Sequence, residues 1–338
     1  MQTGLFDWHD RLGKLDKNED PLLQLDTLID WEQFRPTLEQ IRKAKTKSSP
    51  GRKYYDVILM FKILIIQSLY NLSDDAVEFQ ILDRLSFMRF LKLGLGDRVP
   101  DSKTIWLFRE QLTKAKLIDP LFNEFDTFLK NNGYSAKKGQ IVDASIISAP
   151  KQRNSRDENQ KIKQGEIPDD WKIAKKRQKD TDARWTKKNG KSYYGYKNHI
   201  AVDVKYKLIR NYAVTDASVH DSNVFEELLD NSNSSRDVWA DSAYRSKESI
   251  KQLEEQGFRE HLQRKGNRNK KLTEWERQGN RTRSKVRSRV EHIFGVQSMI
   301  AGNLILRTIG FVRAQTKISL RNLAYNMSRY KILAGDGI

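Results

Sequence analysis

The 338 residues contain no cysteine, which excludes disulfides, a disulfide-linked partner and thiolate zinc sites. Histidine is scarce as well. The five, at positions 9, 199, 220, 261 and 292, show no H-x-x-H or H-E-x-x-H spacing, so carboxylates are the expected ligands of any metal. Long apolar runs are missing: the longest, residues 57–66, is interrupted by Lys62 and is far too short to span a bilayer. There is no lipidation motif, and the first twenty residues, MQTGLFDWHDRLGKLDKNED, lack the apolar core of a signal peptide. The expectation is a soluble, cytoplasmic chain without membrane partners. With 38% apolar residues and plentiful Trp, Tyr and Phe, it is not intrinsically disordered.

What the chain has in excess is positive charge. Lys and Arg number 62 against 44 Asp and Glu, a formal net charge of +18. Residues 257–290 alone hold twelve Lys and Arg against three Glu, half of the whole excess. Such a surface attracts a polyanion and releases its counterions on contact, which makes nucleic acid the leading partner.

At roughly 100 to 200 residues per domain, the length suggests about two domains. Residues 54–132 read as short helices separated by tight turns, with Ser73 as an N-cap and Asp101 or Ser102 capping the helix that carries Trp106 and Phe108. The expected helical domain is residues 1–135. From 136 to 338 the pattern becomes α/β. A β-branched strand, GQIVDASIISAP, is followed by a hairpin of YYGYKNHIAVDV and LIRNYAVTD turning at 205–207. A helix over about 222–229, a strand in RDVWADSAY, a helix over about 246–256, a fifth strand in FREHLQR and helices from about Thr282 complete the order. Residues 151–191 and 263–281, dense in charge, read as loops or arms that contact nucleic acid backbone.

Three acids stand out. Asp143 lies in the most apolar strand, where an unpaired charge would cost several kcal/mol, so it must be paired or metal-bound. Asp241 follows VWA at the end of the fourth strand, where α/β side chains project into a shared crevice; alone it would be an ordinary helix cap. Glu291 ends the most basic segment, one helical turn after Arg287, and taken singly those two are a surface ion pair. The order Asp, Asp, Glu on first strand, fourth strand and late helix resembles the RNase H-like nucleotidyl transferases.

The blocks VDASIISAP, YYGYKNHIAVD, TDASVHDS, ADSAYRS and RSRVEHIFG are similar in sequence and order to those of bacterial insertion-sequence transposases of the IS-five family. YNLSDDAVE with VPDSKTIWLFR resembles that family's N-terminal domain. The resemblance runs from about residue 51 to 331. It implies an RNase H-like fold with a mixed five-stranded sheet and flanking helices after an all-helical domain. It also implies that Asp143, Asp241 and Glu291 are both catalytic residues and metal ligands. The implied activity is a DNA transposase that binds terminal inverted repeats, cleaves the ends and joins them to target DNA. Structure-specific nuclease and non-catalytic DNA-binding regulator stay open as alternatives.

Phosphodiester chemistry suits such a triad, because two divalent cations can activate the attacking oxygen and stabilise the leaving one. Hard oxygen ligands favour two Mg²⁺, with Mn²⁺ as substitute. Around Glu291 the related signature is Tyr, Arg, Glu, Lys. Arg287 and Glu291 fit, whereas Ser284 and Ser298 stand in the Tyr and Lys places, with Arg283, Lys285 and Arg289 nearby. The expected partner is double-stranded DNA at transposon ends and target. Terminal repeats fall to the helical domain through Lys103, Thr104 and Arg109; Trp185, Lys197, His199, Arg283 and Arg287 serve the remaining DNA. Lys197 and His199 share a strand face, and the family carries a similar Lys-x-His there. Asp221 reads first as a cap and Asp216 as a decoy acid. Two inverted ends and one site per chain imply a homodimer on DNA.

Overall fold

Side chains placed just ahead of apolar stretches set the helix starts. The computed structural model describes residues 7–42, 54–188, 190–266, 271–301 and 305–335. Within them the chain divides into two units, Met1–Thr127 together with Leu320–Ile338, and Phe128–Ser319. The sequence reading put the division at 135 and counted residues 320–338 with the second domain.

The first unit is helical: α1 Asp7–Lys17, α2 Pro21–Leu28, α3 Arg35–Leu38, α4 Val57–Tyr70, α5 Asp74–Asp83, α6 Leu85–Leu91, α7 Ser102–Lys114 and the start of α8 Ile118–Asn131. Asp56 caps α4 by accepting from the Ile58 and Leu59 amides, Ser73 caps α5, and Asp101 rather than Ser102 caps α7. The apolar run is α4, the central core helix, buried from Val57 through Gln67 apart from Leu59. Lys62, which interrupts it, is buried too. Its ammonium pairs with Asp26, donates to the Phe90 carbonyl at 3.1 Å and lies 5.1 and 5.0 Å from the Trp31 and Phe90 ring centres. Among the described residues no single helix is long and apolar enough to cross a membrane.

The second unit is built on a mixed sheet of β1 Gln140–Ser148, β2 Arg184–Lys188, β3 Lys191–Asp203, β4 Ile209–Asp216, β5 Asp237–Ala240 and β6 Arg259–Leu262. The order is β2-β3-β1-β5-β6, with β4 also on β3; β1 pairs with β5 and β5 with β6 in parallel, and β3 pairs antiparallel with β1, β2 and β4. Leaving the β2 arm aside, this is the RNase H-like arrangement. The expected count of five becomes six, because β2, RWTKK, lies in a charged stretch that lacks apolar alternation and reads as loop. The β3–β4 hairpin closes on buried Asp203, which accepts from the Tyr206 and Leu208 amides and from Arg210 Nε.

Around the sheet lie α9 Arg156–Lys163, α10 Ile173–Gln178, α11 Lys247–Glu255, α12 Glu274–Ala301 and the start of α13 Phe311–Gly335. Two expectations shift. The helix read over 222–229 is a pair of 3-10 turns, Asp221–Val224 and Glu226–Leu228. Helix α12 begins eight residues before Thr282, where the Thr273 hydroxyl accepts from the Glu276 amide and the Glu276 carboxylate from the Thr273 amide. That reciprocal capping box starts a helix whose first turns are too polar to show apolar periodicity. Cores lie on both sheet faces. Val142, Ala201, Val238 and Ala240 pack with Phe225, Tyr244 and Leu253. Ile147, Tyr194 and Tyr196 pack with Leu306, Ala314 and Ile318.

Candidate active site

Parallel pairing of β1 with β5 brings the first two acids together. The register aligns Gln140 with Val238 and Ile141 with Trp239. Continued by two residues, it sets Asp143 beside Asp241, at the spacing of neighbouring strands, about 4.8 Å. Asp143 Oδ1 accepts from the Ala144 amide at 2.8 Å and Oδ2 from Arg287 Nη2 at 2.9 Å. Burial pushes this carboxyl above its ordinary range; the Arg287 guanidinium opposes that, and the nearby charge of Asp241 adds to it. Asp241 itself caps the 3-10 turn Ser242–Tyr244 by accepting from the Ala243 amide at 2.6 Å. Cap and crevice acid are thus the same residue.

Glu291 is exposed on α12, one turn beyond Arg287. Among the described residues no three or more Asp, Glu or His side chains are gathered closely enough to hold a metal ion. The donor set still suits a hard cation: adjacent carboxylates, one desolvated, carry more negative charge than Arg287 alone offsets. Arg287 is also held by Gln263, whose Oε1 accepts from Nη1 at 2.8 Å and whose Nε2 donates to Ser284 Oγ at 2.7 Å. Ser284, in the Tyr place of the signature, therefore positions Gln263, while Ser298 in the Lys place donates to the Phe294 carbonyl within its own helix. Gln263 escaped the sequence reading because nothing local marks a neutral amide as a partner of an arginine 24 residues away.

On the opposite face of β3, Lys197 Nζ donates to the Val219 carbonyl at 2.6 Å and to Asp221 Oδ1 at 2.8 Å. His199 is wholly buried, with Nε2 2.9 Å from Thr215 Oγ1 and Nδ1 4.0 Å from Asp221 Oδ1. The Thr215 hydroxyl spends its one proton on the Asp216 carbonyl, so His199 donates from Nε2, and its buried Nδ1 has no hydrogen-bond partner among the described residues. Burial brings its pKa down to about 4; Asp221 opposes this and Lys197 assists it. Asp221, read as a cap, is thus the counter-ion of Lys197. Tyr244 was missed too. It is fully buried, and its hydroxyl has no hydrogen-bond partner among the described residues. Burial, then the charges of Asp221, Asp143 and Asp241, hold it protonated.

Residues 134–327, more than half of the chain, match the family described as "Transposase DDE domain", and residues 10–111 match "Transposase domain (DUF772)". The chain belongs to the DDE transposase family. It is a DNA transposase, and enzymes of this family use divalent metal ions. The matched family is broader than the IS-five group named above. Among solved structures, the piggyBac transposase in a cryo-EM synaptic complex with hairpin DNA is similar at 13% identity, over 94% of this chain and 76% of that one, with a TM-score of 0.47. That likeness is too slight to bear on mechanism.

The transposase presents its other basic and aromatic residues unevenly. Trp185 on β2 is 44% exposed, tilted on Tyr194 at 5.2 Å, with Lys151 Nζ 5.9 Å from its ring centre. Arg283 is half-buried; its Nε lacks a partner among the described residues, and burial lowers its pKa, with Arg264 and Arg245 adding to the effect and Glu260 opposing it. On α12 the exposed Arg277, Arg281 and Lys285 line a groove with Ser284 and Ser288, each four residues from the next, a rise of about 6 Å. In the helical unit Lys103 is exposed and Thr104 half-exposed. Arg109 is different. It is 5% exposed, forked on Asp74 with two 2.7 Å bonds and joined to Gln67 at 2.9 Å. Expected to face DNA, it instead clamps α7 to α5 and α4, because its charge finds a bidentate carboxylate inside the helical core.

Proposed function

We propose that this transposase binds the terminal inverted repeats of an insertion sequence, cleaves them and joins the ends to target DNA at a site made of Asp143, Asp241 and Glu291. The observation that carries this reading is the parallel register that sets Asp241 beside a desolvated Asp143. When bound, two Mg²⁺ ions, or Mn²⁺ in their place, would supply the Lewis acidity for phosphodiester hydrolysis and transesterification. Asp143 and Asp241 hold the two neighbouring ligand positions, and Glu291 approaches from α12 as the DNA end arrives. Arg287 and Arg283 bind the phosphates flanking the reacting one. Lys197, held by Asp221, and buried His199 brace β3 beside the strand that carries Asp143, and Trp185 offers an exposed face for an unpaired base.

The helical domain, residues 1–135, would recognise the terminal repeats through the exposed start of α7, Lys103 and Thr104, and residues 136–338 would do the chemistry. Two inverted ends call for a homodimer on DNA, since one chain offers one site.

The decisive experiment measures end cleavage and end binding together in the full chain. Asp143→Asn, Asp241→Asn and Glu291→Gln should each lower Mg²⁺-dependent cleavage by at least on the order of a hundredfold while leaving DNA affinity within a few-fold. A variant that transfers strands normally would remove its residue from the triad.

A further inference from the structure

The guanidinium that touches Asp143 sits where a cation is wanted. Arg287 and Asp143 leave only 13% and 14% of their side chains exposed, at an N–O distance of 2.9 Å. A buried carboxylate beside a second acid cannot stay charged without a counter-ion, and here the protein supplies its own. The arginine is held loosely for such a place. One Nη reaches Asp143 and the other Gln263, so the carboxylate is not gripped by the two-pronged fork that Arg109 makes on Asp74. Its Nε is buried with no partner among the described residues, a cost to the present arrangement. Gln263 can keep hold of Nη1 while Nη2 swings away, and Gln263 is itself steadied by Ser284.

We propose that Arg287 is an exchangeable counter-ion: it neutralises Asp143 in the metal-free protein, gives up that carboxylate when a divalent cation binds there, and turns about Gln263 to a DNA phosphate. The inference rests on the reading of Asp143 as a cation ligand. It has a thermodynamic consequence. Guanidinium and metal compete for Asp143, while metal binding frees Arg287 for DNA, so metal and DNA must each tighten the binding of the other.

Two measurements on the full chain test this. Titration calorimetry with Mn²⁺ in the absence of DNA should show Arg287→Gln binding the ion about tenfold more tightly than the wild type. Arg289→Gln, which removes the same charge from the same helix without touching Asp143, should change it far less. Fluorescence anisotropy with a short blunt duplex at fixed ionic strength should show Ca²⁺ raising wild-type affinity several-fold and leaving Arg287→Gln unmoved. Should Arg287→Gln fold poorly, Gln263→Ala loosens the same arginine without removing its charge and should also tighten Mn²⁺. Equal Mn²⁺ affinity in Arg287→Gln and wild type, with binding lost in Asp143→Asn, would overturn the exchange and leave the cation site standing. Unchanged Mn²⁺ affinity in Asp143→Asn would instead overturn the underlying assignment of Asp143. A gain in Arg289→Gln equal to that in Arg287→Gln would reduce the effect to general electrostatics and refute the exchange.

Discussion

Acidification should cost this protein stability through one imidazole. His199 is wholly buried on β3, donates from Nε2 to Thr215 and faces Lys197 across Asp221. Burial holds its folded pKa down at about 4, against 6.5 for a free imidazole. A base whose folded pKa is depressed is neutral in both states above the unfolded value. As pH falls through the window from 6.5 toward 4, the unfolded chain takes up a proton that the folded one refuses. The stability present above that window is therefore lost within it, by about 3 kcal/mol in all. The assay is urea denaturation of the wild type and of His199→Gln, which keeps a donor near Thr215, at about pH 7.5 and pH 4 and constant ionic strength. Raised carboxyls contribute with the opposite sign. Burial raises the carboxyls of Asp143 and Asp203, and their contribution is full at low pH and lost as pH rises; being common to both proteins, it cancels in the double difference. A double difference below about 1 kcal/mol, or an imidazole resonance of His199 titrating at its ordinary pKa, would refute the reasoning. It would also return His199 to the DNA-contacting role expected from sequence.

Three further outcomes are expected. Arg109→Ala should destabilise the helical unit by about 1.5 to 3 kcal/mol, because it removes the buried fork of charge-assisted bonds from half-buried Asp74, and leave DNA affinity of the folded protein unchanged; a loss of affinity without a loss in melting temperature would make Arg109 a DNA reader after all. Gly195→Ala should cost about 3 kcal/mol or more, since at φ +152° an added Cβ would lie 2.1 Å from the Ile147 carbonyl and 2.8 Å from the Ala149 amide; calorimetric melting at the wild-type temperature would contradict that. Replacing Arg277, Arg281 and Lys285 together by Ala should flatten the dependence of log K on log salt by about 3, whereas an unchanged slope would take the outer face of α12 off the DNA.

Sequence alone determined what is locally encoded. The apolar run of α4, the caps at Ser73 and Asp101, and the β-branched stretches of β1, β3 and β4 each carry their own signal, because helix and strand periodicities and capping bonds involve residues a few positions apart. The excess of cations over residues 257–290, and an acid in an apolar strand that must be paired, were legible for the same reason. Even the early start of α12 was written in Thr273 and Glu276, a capping box hidden by the charge around it.

Tertiary structure decided everything that depends on which distant group arrives beside another. Strand β2 exists because β3 gives it a partner, not because RWTKK favours a strand. Arg109 and Arg287 are both arginines on helices. One is clamped by Asp74 and the other balances Asp143, and only packing distinguishes them, since a charge takes its role from the counter-charge it meets in a desolvated place. Asp221 holds Lys197, Gln263 holds Arg287, and Arg287 in turn balances Asp143, through pairings that span from 24 to 144 residues. No local pattern records such separations, because the free energy that fixes them comes from burying the whole sheet against its helices.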